Sequence, residues 1–230
     1  MSKVSIIIPA YNEEKRIVST LEKISEFFKD QDCEIIVVDD GSSDGTRSVV
    51  KKFSSIKLNN KRENKGKGYS VKEGVAMSSG DLILFSDADL STPIEEFDKL
   101  KKYVDSYSVV IGSRALAESE VQNNIFRKLL GRVGNLLIRS VVKGIKDTQC
   151  GFKLYKSDVA KDLFSKQTIE GFGFDFEILF LAQKDKIKIK EVPVVWKNVE
   201  GSKVKPIHYL ITLFELFKIM GNNLKGRYPN

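Results

Sequence analysis

The chain has 230 residues, enough for one large domain with a sizeable core, and its 41% hydrophobic and 30% charged content is that of an ordinary globular protein. Two cysteines, Cys33 and Cys150, are too few for a disulfide scaffold and lack metal-ligand spacing; a single histidine, His208, excludes His-based triads and His-rich zinc sites. The net charge of +7 points to an anionic partner: nucleic acid, a phosphorylated ligand or an acidic membrane surface.

Val4 to Ile8 is an apolar, mostly β-branched run closed by Pro9, which predicts a buried strand and is too short for the apolar core of a secretory leader. Ile17, Leu21, Ile24, Phe27 and Phe28 repeat at helical spacing within a helix expected over 13–28. Glu34 to Val38 reads as a second buried strand ending in Asp39-Asp40. The turn Gly41 to Gly45 then supplies Ser and Asp where a helix N-cap belongs. A helix over 46–53, a weak strand near 56–58, a helix opened by Gly66-Lys67-Gly68 and a strand over 81–85 complete the alternation. Strands alternating with helices imply an α/β fold with a mostly parallel, doubly wound sheet. Ligands bind such sheets beyond the strand carboxyl ends. That rule selects three loops, 9–13, 39–44 and 86–92. No run of about 18 uncharged apolar residues is present, so nothing is expected to span a bilayer.

Asp87-Ala88-Asp89 places two carboxylates one residue apart at a strand end. Two such oxygens suit Mg²⁺ or Mn²⁺ shared with a diphosphate, although solvated turn residues give the same pattern. Six further segments accompany it: Ile8 to Glu13, Val38 to Ser42, Asn64 to Gly68, Gly112 to Arg114, Asp147 to Lys153 and Glu200 to Lys203. With this set the chain resembles glycosyltransferase family 2, in the branch that makes lipid-phosphate sugars. The Asp147 to Lys153 string is similar to the dolichyl-phosphate β-glucosyltransferases.

The resemblance implies a single GT-A-type domain over 1–230, with a nucleotide-sugar donor half over 1–115 and an acceptor half over 116–230 that carries C-terminal amphipathic, interfacial helices. It implies that Pro9, Tyr11 and Glu13 line the nucleoside pocket and that Asp40 holds the base edge. A ring against the base and a carboxylate accepting an imide proton suit uracil. Asp39 reads as a structural cap. Lys67 is placed to meet the donor phosphates, as is Asp87-Ala88-Asp89, with Asp89 the direct ligand to the metal and Asp87 nearer the ribose or a water of the metal. Where the mannosyl branch often has Gln two residues after the second Asp, this chain has Ser91, so that position falls to Ser91 or to water.

After Asn123 the pattern becomes basic. Phe126 to Ile138 carries apolar residues at helical spacing, punctuated by Arg127, Lys128 and Arg132. Between Pro206 and Leu224, Ile207, Leu210, Ile211, Leu213, Phe214, Leu216, Phe217 and Met220 form a very apolar helix. Either helix could lie in a membrane interface or pack on the sheet or on a second copy. The resemblance favours the membrane, because the family's acceptor is a polyprenyl phosphate in the bilayer, and it places the chain peripherally on the cytoplasmic face. Arg114 and Arg127 match its acceptor-phosphate arginines, with Lys203 a further candidate. Asp147, Phe152, Asp175 and Glu177 read as architecture, Trp196 as core, and Phe172-Gly173-Phe174 as a turn into a helix.

The reaction implied is inverting transfer of glucose from UDP-glucose to a dolichyl-type phosphate. Asp89 and Arg114 carry the chemistry and a metal neutralises the departing UDP. GDP-mannose as donor, or a glycan hydroxyl as acceptor, are the alternatives. Nucleic acid is disfavoured: basic residues do not interleave with aromatics, and three acidic loops would repel a polyanion.

Overall fold

The structure is a computed structural model that describes residues 2–121, 138–139, 141–199 and 206–228. In its first part, β1 (Val4–Ala10), β2 (Cys33–Asp39), β3 (Ile56–Asn60), β4 (Leu82–Ser86) and β5 (Val109–Ser113) alternate with α1 (Ile17–Phe27), α2 (Thr46–Val50), α3 (Lys67–Met77) and α4 (Phe97–Lys101). Its second part holds β6 (Glu120–Val121), β7 (Phe152–Lys156), α5 (Ser157–Ser165), α6 (Phe174–Lys184), β8 (Ile189–Pro193), β9 (Val195–Trp196) and α7 (Pro206–Leu224).

Seven strands form one sheet in the order β3-β2-β1-β4-β7-β5-β8, and β6 pairs with β9 in a small parallel ribbon. The seven-stranded sheet is parallel except for β7, which runs antiparallel to β4 and β5 on either side. β7 and β8, from the later half, thus complete a sheet begun by the earlier half. All of β1 is buried because helices cover both faces, and each fully buried Ile there contributes roughly 1.5–3 kcal/mol. Ile6 and Ile8 face the layer of α1, with Ile17, Leu21 and Ile24, whereas Ile7 faces α3. α3 lies close to the sheet because Gly74 leaves no room for a side chain: a Cβ there would overlap Ile7.

Three expectations change. α1 begins at Ile17, since residues 13–16 turn, with the amides of Arg16 and Ile17 both bonded to the Glu13 carbonyl at 2.9 Å. Trp196 is half-buried on β9 rather than core. Leu213 is half-buried against the core cluster, so it does not share the outer face of α7 with Phe217, which is 60% exposed. Arg127, Lys203 and most of the expected basic helix lie outside the described residues. Phe172-Gly173 is a turn into α6, as its sequence suggested.

Candidate active site

The carboxyl ends of β1, β2, β4 and β5 lie along one edge of the sheet. Because β7 is antiparallel, the loop that precedes it, carrying Asp147 and Gly151, arrives at the same edge. Five chain segments therefore meet there.

At the β1–β2 end the two loops are knitted together. The Asn12 amide, at a residue with φ of 54°, donates to Ser42 Oγ at 2.9 Å, and the Ser43 amide returns a bond to Asn12 Oδ1 at 2.8 Å. Pro9 is buried within β1, and Tyr11 beside it is 41% exposed. Glu13 is buried; its amide donates to Thr46 Oγ1 at 2.8 Å, and its carboxylate takes Arg16 Nε and Nη2 at 2.7 Å each. Asp40 accepts the amides of Lys65 at 2.9 Å and Gly66 at 2.8 Å, one on each oxygen, and so holds the glycine turn that opens α3. Asp39 is fully buried. One of its oxygens binds Arg47 Nε and the other, Oδ1, has no partner among the described residues. The oxygen that binds Arg47 also accepts the Ser42 amide at 3.4 Å, in keeping with the reading of Asp39 as a structural cap; the unpaired, buried Oδ1 costs free energy.

At the end of β4, Lys67 Nζ lies 2.6 Å from Asp87 Oδ1 and 5.2 Å from the centre of the Phe85 ring. Burial works to lower the Lys67 pKa, but Asp87, Asp175 and Asp89 outweigh it and hold the ammonium above its ordinary value. Ala88 is buried and its carbonyl accepts Thr20 Oγ1 at 2.7 Å, which fixes the loop between the two carboxylates. Asp89 is half-buried; its Oδ1 accepts the Ser91 amide at 2.9 Å, and its Oδ2 takes no hydrogen bond from a described residue. Ser91 is itself buried, its carbonyl accepting the Lys197 amide at 2.7 Å. The Asp87 amide donates to the Gly151 carbonyl at 3.1 Å, and a Cβ on Gly151 would overlap the Asp87 carboxylate.

Two acidic oxygens of this kind fit a hard divalent cation. No group of three or more His, Cys, Asp or Glu able to hold a metal occurs among the described residues. Carboxylate oxygens are donors of the kind that Mg²⁺ or Mn²⁺ takes together with substrate phosphates and water.

Beneath this loop, Lys153 is fully buried in the middle of the sheet, opposite Phe85. Its Nζ donates to the Cys150 carbonyl at 2.7 Å and pairs with Asp175 in the first turn of α6. A lysine between Phe152 and Leu154 in a central strand was the sequence signal for this pair, and the partner was not readable. Burial pushes the Cys150 thiol up to about 11, so it is neutral and unreactive near pH 7; Cys33 is half-buried.

At the end of β5, Arg114 donates Nε and Nη2 to Asp147 at 2.7 and 2.9 Å, and its amide donates to the same carboxylate at 2.8 Å. Its guanidinium lies 5.8 Å from the Trp196 ring centre. Burial opposes the charge, and Asp147 restores it, so the guanidinium stays protonated. Asp147 in turn is held below the usual carboxylate range: burial works against this, and Arg114 outweighs burial. Glu191 on β8 fixes the loop by accepting the amides of Lys146 and Asp147, each at 2.9 Å.

The sequence model of Glycosyl transferase family 2 matches residues 5–164. A dolichyl-phosphate beta-glucosyltransferase of Trichomonas vaginalis is 41% identical over 236 residues, covering 94% of this chain and 72% of that protein. The dolichyl-phosphate beta-glucosyltransferase of Homo sapiens is 37% identical, covering 89% of this chain and 70% of that protein. Among solved structures, glucosyl-3-phosphoglycerate synthase from Mycobacterium tuberculosis, in complex with Mn²⁺, UDP-glucose and phosphoglyceric acid, superposes with a TM-score of 0.75. It is 20% identical, and the match covers 96% of this chain and 80% of that one.

Proposed function

This chain belongs to glycosyl transferase family 2, and we propose that it transfers glucose from UDP-glucose to a dolichyl-type polyprenyl phosphate, inverting the anomeric carbon. Its relatives are named for glucose transfer to dolichyl phosphate, and the structural neighbour was solved with Mn²⁺ and UDP-glucose. The observation that carries the reading is the shared edge. Carboxylates suited to a metal follow β4, and a fixed cation, Arg114, follows β5, the next parallel strand, beyond the antiparallel β7.

In this reading the Tyr11 ring stacks on the uracil, and Pro9 and the Glu13–Arg16 pair shape the wall behind it. Asp40 stands at the base edge, its two oxygens also bracing the α3 turn, while the adjacent Asp39 is fully buried against Arg47. Asp89, with Asp87 beside it, would hold Mg²⁺ or Mn²⁺, which would supply Lewis-acid neutralisation of the departing diphosphate. Lys67 turns its ammonium from Asp87 towards that diphosphate. Arg114 meets the acceptor phosphate with Nη1, the nitrogen not used by Asp147, and Arg127 and Lys203 add charge.

A phosphomonoester is already an anionic nucleophile at neutral pH, so no base needs to deprotonate it. The side chains support this over a hydroxyl acceptor. Asp175 is tied to Lys153, and Glu177, fully buried, accepts bonds from the Thr168 amide at 2.9 Å, the Ile169 amide at 2.9 Å and Tyr228 Oη at 2.6 Å. Neither is free to act as a base.

The acceptor would be met at a membrane surface, on its cytoplasmic face. Among the described residues no helix is long and apolar enough to cross a membrane. The outer face of α7 nonetheless exposes Leu210, Phe214, Phe217 and Leu224 by 56 to 87%. The deciding experiment is incubation of the purified chain with Mn²⁺, a short polyprenyl phosphate and either UDP-glucose or GDP-mannose, with products read by mass spectrometry. Glucosylated lipid from UDP-glucose is expected; product from GDP-mannose alone would overturn the donor assignment.

A further inference from the structure

Glu215 is the sole acidic residue of α7. Its neighbours Phe214 and Phe217 point outward, 73% and 60% exposed, while its own carboxylate turns into the protein. Oε2 accepts the Gly173 amide at 2.7 Å. A Cβ on Gly171 would overlap Oε1, and one on Gly173 would come within 2.8 Å of Oε2. The loop 171–173 therefore approaches the carboxylate as only glycines can. Burial pushes the Glu215 carboxyl up, and the Gly173 amide, then Lys218, pull against it. A carboxylate at this depth is unfavourable unless hydrogen bonds replace its lost hydration, and the Gly173 amide supplies one. Phe172 adds a second tie to α7, its ring 5.0 Å from that of His208.

The opposite side of this loop touches the donor turn. The Glu170 carbonyl accepts the Tyr69 amide at 3.1 Å. Gly66, at φ of 107°, has no room for a Cβ, which would lie 2.5 Å from the Glu170 oxygen. A Cβ on Gly68 would lie 2.6 Å from Phe174 Cβ and 2.9 Å from the Gly171 oxygen. Lys67 sits between these two glycines. Asp40 grips the turn from one side through the Lys65 and Gly66 amides, and the 169–174 segment backs it from the other.

We propose that Glu215 is a positioning residue for donor binding: it fixes the 171–173 main chain against which the Gly66-Lys67-Gly68 turn rests, and so sets Lys67 relative to Asp87. The proposal builds on the reading of Lys67 as a diphosphate contact. It gives α7 an inward role distinct from that of its exposed apolar face.

The test compares full-length wild type with Glu215→Ala, Glu215→Gln and Gly171→Ala, which disturbs the same contact from the loop side. Amide hydrogen exchange is followed at Gly173 and Tyr69, and binding of UDP with Mn²⁺ by calorimetry. In Glu215→Ala both amides should exchange about tenfold faster, and Kd for UDP should rise by about the same factor, with kcat at saturating donor within about twofold. Glu215→Gln keeps one oxygen acceptor for Gly173 and should recover most of both losses. Gly171→Ala should reproduce the Glu215→Ala pattern. Acceleration at Gly173 with Tyr69 unchanged would mean that Glu215 only caps α6, and the proposal would be wrong; unchanged UDP affinity in a folded Glu215→Ala would sink it equally. If wild type binds GDP but not UDP, the donor reading fails, and the link from Glu215 to Tyr69 is still decided by the exchange data.

Discussion

The Lys67 ammonium lies 2.6 Å from Asp87 Oδ1, so the first carboxylate of the Asp87-Ala88-Asp89 motif already has a cation of its own. The proposed metal would therefore rest chiefly on Asp89, whose Oδ2 takes no hydrogen bond from a described residue. Asp89→Asn should abolish transfer and weaken Mn²⁺-dependent UDP binding at least about tenfold, with little change in Tm, because strand-end carboxylates contribute little to stability. Calorimetry with and without Mn²⁺ checks this; wild-type turnover in the variant, or full activity in excess chelator, removes the metal from the mechanism.

Variants of Arg114 and Asp147 test the proposed division between acceptor and donor. Arg114→Ala should raise the acceptor KM by about tenfold or more and leave UDP-glucose affinity within about twofold. Asp147→Asn keeps Arg114 but frees it from its bidentate partner, and should cost about 1–3 kcal/mol of stability, discounted for the partial exposure of Arg114. Chemical denaturation and acceptor titrations together check the pair. Loss of donor binding in Arg114→Ala would move this arginine to the other half of the site.

Glu177 tests the need for a base. Its oxygens hold Thr168, Ile169 and Tyr228, so Glu177→Gln should lower stability yet leave the pH–rate profile above about pH 7 unchanged in the folded fraction. A loss of about 10²-fold or more in a folded variant that still binds donor would restore general-base catalysis and a hydroxyl acceptor. Asp175→Asn is less informative, because it strands the buried Lys153 charge and should unfold the chain first.

The two faces of α7 should respond differently. Phe217→Asp should reduce binding to anionic vesicles while Tm stays near wild type, since Phe217 is 60% exposed. Leu213→Asp places a charge against the core cluster and should destabilise by about 3 kcal/mol or more whether or not lipid is present. Vesicle flotation and thermal melts distinguish the outcomes. Equal unfolding by both substitutions would identify the outer face as buried against protein in solution.

Acid stability should show the Glu34 network. Burial would push this carboxyl up, but bonds from Lys57, Ser5 and Ser79 outweigh it and bring it to about 2. A folded pKa below the unfolded value gives stability that is present above about pH 4.5 and lost as pH falls towards 2. Allowing for the exposed Lys57, Glu34→Gln should remove about 1–2 kcal/mol at pH 7 and flatten the loss between pH 4.5 and 2. Denaturant midpoints across that range measure it.

The strands β1, β2 and β4 and the loops that follow them were legible from sequence, because parallel strands buried on both faces read as continuous apolar runs and the acidic residues come at once after them. Asp87 and Asp89 were picked out by the same local logic, whereas Arg114 was picked out only by resemblance to the family. What the chain alone left hidden depends on partners far away in sequence. Asp147 meets Arg114 only because β7 runs antiparallel and returns its preceding loop to the ligand edge. Asp39 and Asp40 are adjacent and chemically alike; the fold alone gives one of them the Lys65 and Gly66 amides and leaves the other with an unpaired oxygen. Leu213 and Phe217 belong to one apolar pattern, yet four residues of a helix advance by about 40° beyond a full turn, and near the edge of a buried stripe that rotation separates core from surface. Local sequence determined which groups stand at the edge of the sheet. Tertiary packing decided which of their atoms are already occupied, because hydrogen-bond geometry between distant segments carries no local signature.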